Sequence, residues 1–141
     1  MNLLGLLYTT HAALPHLLNA AADSPRRVAD LVNIGSVAGR KTRPFAGVYN
    51  LTKFGVGAFS DSLRQELTAR HVRVSVVEPG AVKTALVSHI RPEVREQTTQ
   101  LYASIERLEA EDIADVIAYV VTRQRRVAVN EILVRPTEQE F

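Results

Sequence analysis

The chain has 141 residues, 46% hydrophobic and 23% charged, with 17 Lys and Arg against 15 Asp and Glu, the composition of one soluble globular domain. It holds no cysteine, which excludes disulfides, thiolate metal sites and cysteine nucleophiles and makes the reducing cytoplasm the expected compartment. The formal charge of +2 leaves no nucleic-acid footprint, and His11, His16, His71 and His89 have no metal-motif spacing, so no metal is expected.

The first predicted element is a helix from Leu3 to about Ala21, with Asn2 as its cap. Its start, MNLLGLLYTTHAALPHLL, is apolar, but no Lys or Arg precedes Arg26 as a secretory signal requires. A membrane span needs about 18–20 apolar residues in a row, and Thr9, Thr10, His11, Pro15 and His16 interrupt this run. A largely buried helix is therefore expected. Ala29 to Ile34 (ADLVNI) suits a buried strand closing on Gly35 and Ser36, and residues 37–47, with Gly39, Pro44 and Gly47, form a loop. A second helix is predicted from about Val48 to Arg70, with Leu51, Phe54, Phe59, Leu63 and Leu67 as its apolar set.

The segment from His71 to Glu78 alternates with period two and reads as a strand, stopped by Pro79 and Gly80. Residues from Ala81 to Arg107 are weakly patterned and are expected to form helical pieces of a flap. Glu109 to Arg123 is a third helix, acidic at its start (Glu109, Glu111, Asp112) and basic at its end (Arg123, Arg125, Arg126), as the helix dipole favours. Val127 to Val134 is the last strand. Strands separated by helices imply parallel pairing with right-handed crossovers, hence an α/β layered sheet. Three strands is few, and the arrangement leaves Ala29–Ile34 as an exposed apolar edge, prone to aggregation.

Tyr49 and Lys53 are four residues apart at the start of the second helix, so both project from one face. An ammonium close to a phenol favours the phenolate, the state a general base needs. Such a pair also arises by chance in many helices. Ser36 falls at the carboxyl end of a predicted parallel strand, where open α/β sheets place ligands; a serine that only satisfies its own loop backbone fits that position equally well.

Taken together, NIGSVAG at 33–39, YNLTK at 49–53 and VEPGAVKT at 77–84 resemble the short-chain dehydrogenase/reductase family. Asn2 in MNLLG falls where that family has its helix asparagine, and ALPHLL at 13–18 also fits. NEILVRPT at 130–137 is similar to the closing strand of the branch that holds bacterial 3-hydroxy-acid and serine dehydrogenases and clavulanic-acid dehydrogenase.

The resemblance covers essentially the whole chain and implies the C-terminal, catalytic half of one Rossmann-like doubly wound parallel sheet. By position, Tyr49 would exchange a proton with the substrate oxygen. Lys53 would favour the Tyr49 phenolate and bind the nicotinamide ribose, Ser36 would hold and polarise the substrate oxygen, and Asn2 would anchor a water linked to Lys53. Pro79, Gly80, Val82 and Thr84 would line the nicotinamide end of the cofactor, Val82 through its backbone. The implied cofactor is NADP or NAD, with the closing strand pointing toward NADP. Residues from about 85 to 108 would form the substrate lid, with Leu86, Val87, Ile90, Tyr102 and Ile105 suggesting a partly apolar pocket for a small alcohol or carbonyl substrate. Helices 3–21 and 48–70 would form the interface of a homodimer or homotetramer.

Two departures accompany the resemblance. The interval from Asn2 to Ser36 is long, with its extra residues in AAADSPRRVAD, a surface turn where insertion is cheap. The family's opening strand and T-G-x-x-x-G-x-G turn have no match here. Gly55 and Gly57 lie inside a helix and read as packing glycines. The expectation is a reading frame that opens inside a longer gene, because a valine codon at this family position can serve as a bacterial start. An NAD(P)-dependent oxidoreductase is thus expected, present as its catalytic half. The alternative is a non-catalytic remnant that keeps the two interface helices and associates with itself or with a full-length relative. A generic α/β ligand-binding domain would place its site on the same residues.

Overall fold

The computed structural model describes residues 3–84, 95–96, 99–100 and 102–140. Asn2 lies outside them, as do Leu86, Val87, Ile90 and most of the expected lid. The chain is α/β: α1 (Leu4–Asp23), β1 (Ala29–Ile34), α2 (Gly47–Leu67), β2 (Val72–Pro79), α3 (Ala110–Val121) and β3 (Glu131–Val134), with short 3-10 turns at Val37–Gly39 and Thr68–Arg70. The three strands are parallel in the order β1-β2-β3, with Ala29 opposite Val72 and Val76 opposite Glu131.

β2 is the centre, and its first seven residues are all buried. Successive side chains point to opposite faces. Val72 and Val74 meet Leu63 and Leu67 of α2, with Ala21 of α1 in the same cluster. Arg73, on the other face, reaches carbonyls at the end of α3, so helices cover both faces of β2. The alternation expected for this strand is therefore continuous burial. β1 is an edge among the described residues, with Ile34 44% exposed, as the sequence suggests.

Two expectations about the helices fail. α1 is not largely buried: only Thr10 and Ala21 are, while Leu4 and Tyr8 are 59% and 71% exposed. The reason is one-sided contact: Leu6, Thr10, Leu14, Leu17, Leu18 and Ala21 share the covered face, while Leu4, Tyr8, His11, Pro15 and Asn19 are exposed along the whole helix.

The inward face of α2 is Asn50, Val56, Ser60, Leu63 and Leu67, so the predicted Leu51 and Phe54 point outward. Ser60 is tolerated inside because Asn33 of β1 donates to its Oγ at 2.8 Å and Ser60 itself donates to Val56 O. Of the two glycines expected to pack inside α2, Gly55 lies against Leu3, but Gly57 has nothing near it.

β3 is shorter than predicted, starting at Glu131, and the Val127 carbonyl accepts from Arg73. Arg73 also complements the α3 dipole in place of the expected Arg125 and Arg126, joined by Arg26 on Val121 O and by Arg123 folded over Tyr119. Among the described residues no helix is long and apolar enough to cross a membrane.

Candidate active site

The carboxyl ends of β1 and β2 and the start of α2 converge on one region. Gly35 continues β1 by donating to Val77 O at 2.7 Å, and Ser36 follows, 8% exposed. Ser36 Oγ accepts from Ala38 N at 3.1 Å, so the local backbone bond that a loop serine makes is present. That bond leaves the hydroxyl proton and a second lone pair. The turn after Ser36 sits directly on α2. A Cβ at Gly39 would lie 2.8 Å from the Lys53 carbonyl oxygen, so only glycine allows this approach.

Lys53 reaches from α2 to the end of β1, where Nζ donates to Ile34 O at 3.0 Å. Its Nζ is 5.9 Å from the centre of the Tyr49 ring one helical turn earlier. Burial pushes the Lys53 ammonium below the ordinary lysine value of 10.5. Tyr49 remains 39% exposed.

Three further anchors hold the loop between Ser36 and Tyr49. Asn50, 3% exposed, donates to Ala38 O at 2.8 Å and Lys41 O at 3.0 Å and accepts from Arg43 N. Arg40 bridges Glu78 of β2 and Glu131 of β3, and these carboxylates, Glu78 first, hold its guanidinium further above its already high ordinary value. Arg43 donates to Tyr102 Oη at 2.8 Å, tying the loop to the described end of the expected lid. Phe45, with φ 62° and 92% exposure, carries a left-handed backbone just before α2, a strained conformation of the kind that clusters at functional sites.

Pro79 ends β2, and Gly80 N donates to Val134 O at 2.7 Å. Val82 pairs with Leu108, Lys83 N donates to Leu108 O, and Thr84 is exposed at the edge of the described residues. Sequence reasoning missed Asn50, Arg40 and the buried Gln139. Nothing in the period or polarity of the sequence marks Asn50, because a polar residue on a helix reads as solvent-facing. Clefts of about 330 Å³ beside Ser60 and Asn130 and about 380 Å³ beside His71 and Arg125 lie away from Ser36, Tyr49 and Lys53.

Residues 1–95 match the family model described as short chain dehydrogenase. The chain belongs to the short chain dehydrogenase family. It is 37% identical over 140 residues to sulfoacetaldehyde reductase 2 of Chromohalobacter salexigens, covering 99% of this chain and 54% of that protein. It is 34% identical over 136 residues to an uncharacterized oxidoreductase of Staphylococcus aureus (strain USA300), covering 96% of this chain and 52% of that one. The closed form of serine dehydrogenase complexed with NADP+ superposes with a TM-score of 0.85 at 31% identity, over 99% of this chain and 54% of that one. The chain thus spans about half the length of the relatives it matches, and its three-stranded sheet corresponds to part of their Rossmann-like fold.

Proposed function

We propose that the chain carries the catalytic half of an NAD(P)-dependent oxidoreductase that interconverts a secondary alcohol and a carbonyl, in the reducing cytoplasm that a chain without cysteines suits. The observation that carries this reading is Lys53, fixed between Ile34 O and the Tyr49 ring beside the turn that buries Ser36.

The donor set fits the nicotinamide end of such a cofactor. Lys53 Nζ has three N–H bonds and gives one to Ile34 O, leaving two for the ribose hydroxyls. The pyrophosphate end finds no T-G-x-x-x-G-x-G turn in these 141 residues. When bound, the reduced nicotinamide supplies a hydride to the carbonyl carbon. Tyr49 Oη gives its proton to the carbonyl oxygen in reduction and takes it back from the alcohol in oxidation. The Lys53 charge stabilises the phenolate that remains, and the Ser36 hydroxyl donates to the substrate oxygen. Pro79, Gly80, Val82 and Thr84 would line the nicotinamide, with Val82 acting through its backbone. Asn2, outside the described residues, would by the family resemblance alone anchor a water linked to Lys53. NADP is favoured over NAD, since the 31%-identical serine dehydrogenase is described with NADP+.

A second reading has its own observation. Leu4, Leu7 and Tyr8 of α1 and Val48, Leu51 and Phe54 of α2 are all exposed apolar side chains, suited to association with a second copy or a full-length relative through these two helices. Calorimetric titration of the folded chain with NADPH and NADH separates the two. Micromolar binding, followed by carbonyl reduction that falls about 10²–10⁴-fold in Tyr49→Phe, supports the enzyme. No binding by a folded chain that self-associates leaves only the remnant.

A further inference from the structure

The C-terminal residues after β3 do not trail into solvent. Gln139 N donates to Pro136 O at 3.0 Å, which turns the chain back, and Arg135 Nη1 donates to Glu140 O at 2.7 Å. This turn brings the Gln139 side chain, 5% exposed, against Gly80 and Ala81. Its Oε1 accepts from Ala81 N at 2.8 Å. A Cβ at residue 80 would run into the Gln139 carboxamide, so the glycine after Pro79 makes room for the tail.

Ala81 is also the point where the turn meets the end of the lid segment. Leu108 N donates to Ala81 O at 3.0 Å, and Lys83 N donates to Leu108 O at 2.8 Å. Glu138 closes the same unit from the tail side by accepting from Glu106 N at 2.9 Å. The Pro79–Val82 backbone is therefore held at three successive peptides: by β3 through Gly80 N, by the tail through Ala81 N and by Leu108 through Ala81 O.

We infer that Gln139 is a positioning residue of the site. Its carboxamide fixes the Gly80–Ala81 peptide, and through it the Val82 backbone, where the nicotinamide end of the cofactor is proposed to lie. The inference rests on the oxidoreductase reading, and Gln139 acts through the turn rather than by touching the reacting atoms. A buried amide hydrogen with no acceptor would be a penalty, so loss of Oε1 should loosen this turn specifically.

Amide hydrogen exchange on the full 141-residue chain tests it, together with titration by reduced nicotinamide mononucleotide, a probe that carries only the nicotinamide end. Gln139→Met keeps the volume and removes the acceptor. Ala81 N–H should then exchange about tenfold faster, with Val74 and Val76 unchanged, and the probe should bind about tenfold more weakly. Gln139→Glu, whose carboxylate oxygen takes the same bond, should restore both. Unchanged Ala81 exchange in Gln139→Met overturns the inference, as does faster exchange with unaltered probe affinity. Acceleration that extends to Val74 and Val76 overturns it too, by making Gln139 a general stability residue. A wild-type chain that binds no probe sinks the oxidoreductase reading for this chain. In that case Ala81 exchange still decides whether Gln139 fixes the turn.

Discussion

At the amino ends of the strands, Asp30 and Arg73 meet at 2.7 Å with side chains 8% and 7% exposed, and Arg73 gives its remaining N–H groups to carbonyls at the end of α3. At the carboxyl ends, among the described residues, Lys53 has one protein acceptor for three N–H bonds, Ser36 uses one lone pair, and Tyr49 stands 39% exposed. Both ends place charge against β1, through Asp30 at one and the Ile34 carbonyl at the other. One gives each guanidinium nitrogen a protein acceptor, which is how a fold tolerates a buried ion pair. The other leaves hydrogen-bonding capacity over, which is what a ligand needs.

The comparison breaks most visibly at Arg73. Arg73→Met leaves Asp30 buried with only the exposed Arg26 beside it, at 3.3 Å, and opens the carbonyl cluster of α3. Removing one partner of such a pair costs about 3–5 kcal/mol, a large share of the roughly 5–15 kcal/mol of a whole domain. Urea unfolding should show the midpoint collapse at constant slope, or no folded state at all. A loss below about 1 kcal/mol would mean that solvent reaches the pair and that the two ends differ less than their burial indicates.

Asn50 sharpens the contrast from the other side. Asn50→Ala removes three bonds to the backbone of residues 38–43 and should cost about 1–3 kcal/mol. Unlike Arg73→Met, its effect should concentrate at the site: exchange of the Ala38 amide, which Ser36 Oγ accepts, should rise more than that of the β2 amides. Uniform acceleration would make Asn50 a core residue that happens to adjoin Tyr49.

How much of this could be read from the sequence follows the same division. β1 was legible to the residue because a short apolar run ends on glycine, and the Tyr49–Lys53 spacing placed both side chains on one helical turn. The inward face of α2 was not, since Ser60 and Asn50 are admitted by partners distant in sequence, Asn33 and the 38–43 backbone, while Leu51 and Phe54 are left outside. Arg73 looked like the polar half of an alternating strand. Only the return of α3 across β2 shows that its face is covered. Gln139 sits in a polar tail whose contact with Gly80 depends on a turn at Pro136.

The smallest effect is also the one that tests the open end directly. Burial holds the Lys53 ammonium below its ordinary value of 10.5, so the unfolded chain binds that proton more tightly than the folded one. The burial penalty acts in full below the folded pKa and fades as pH rises through it toward 10.5. Stability from this group must therefore rise with pH across that interval. Lys53→Met has no proton to lose, so the wild-type chain should gain stability relative to the variant as pH is raised from neutrality toward 10.5, read as a shift in relative urea midpoints. A flat difference would mean that water solvates the ammonium in the folded chain. A falling one would mean that an anionic partner holds the lysine's proton in the folded chain more tightly than water does.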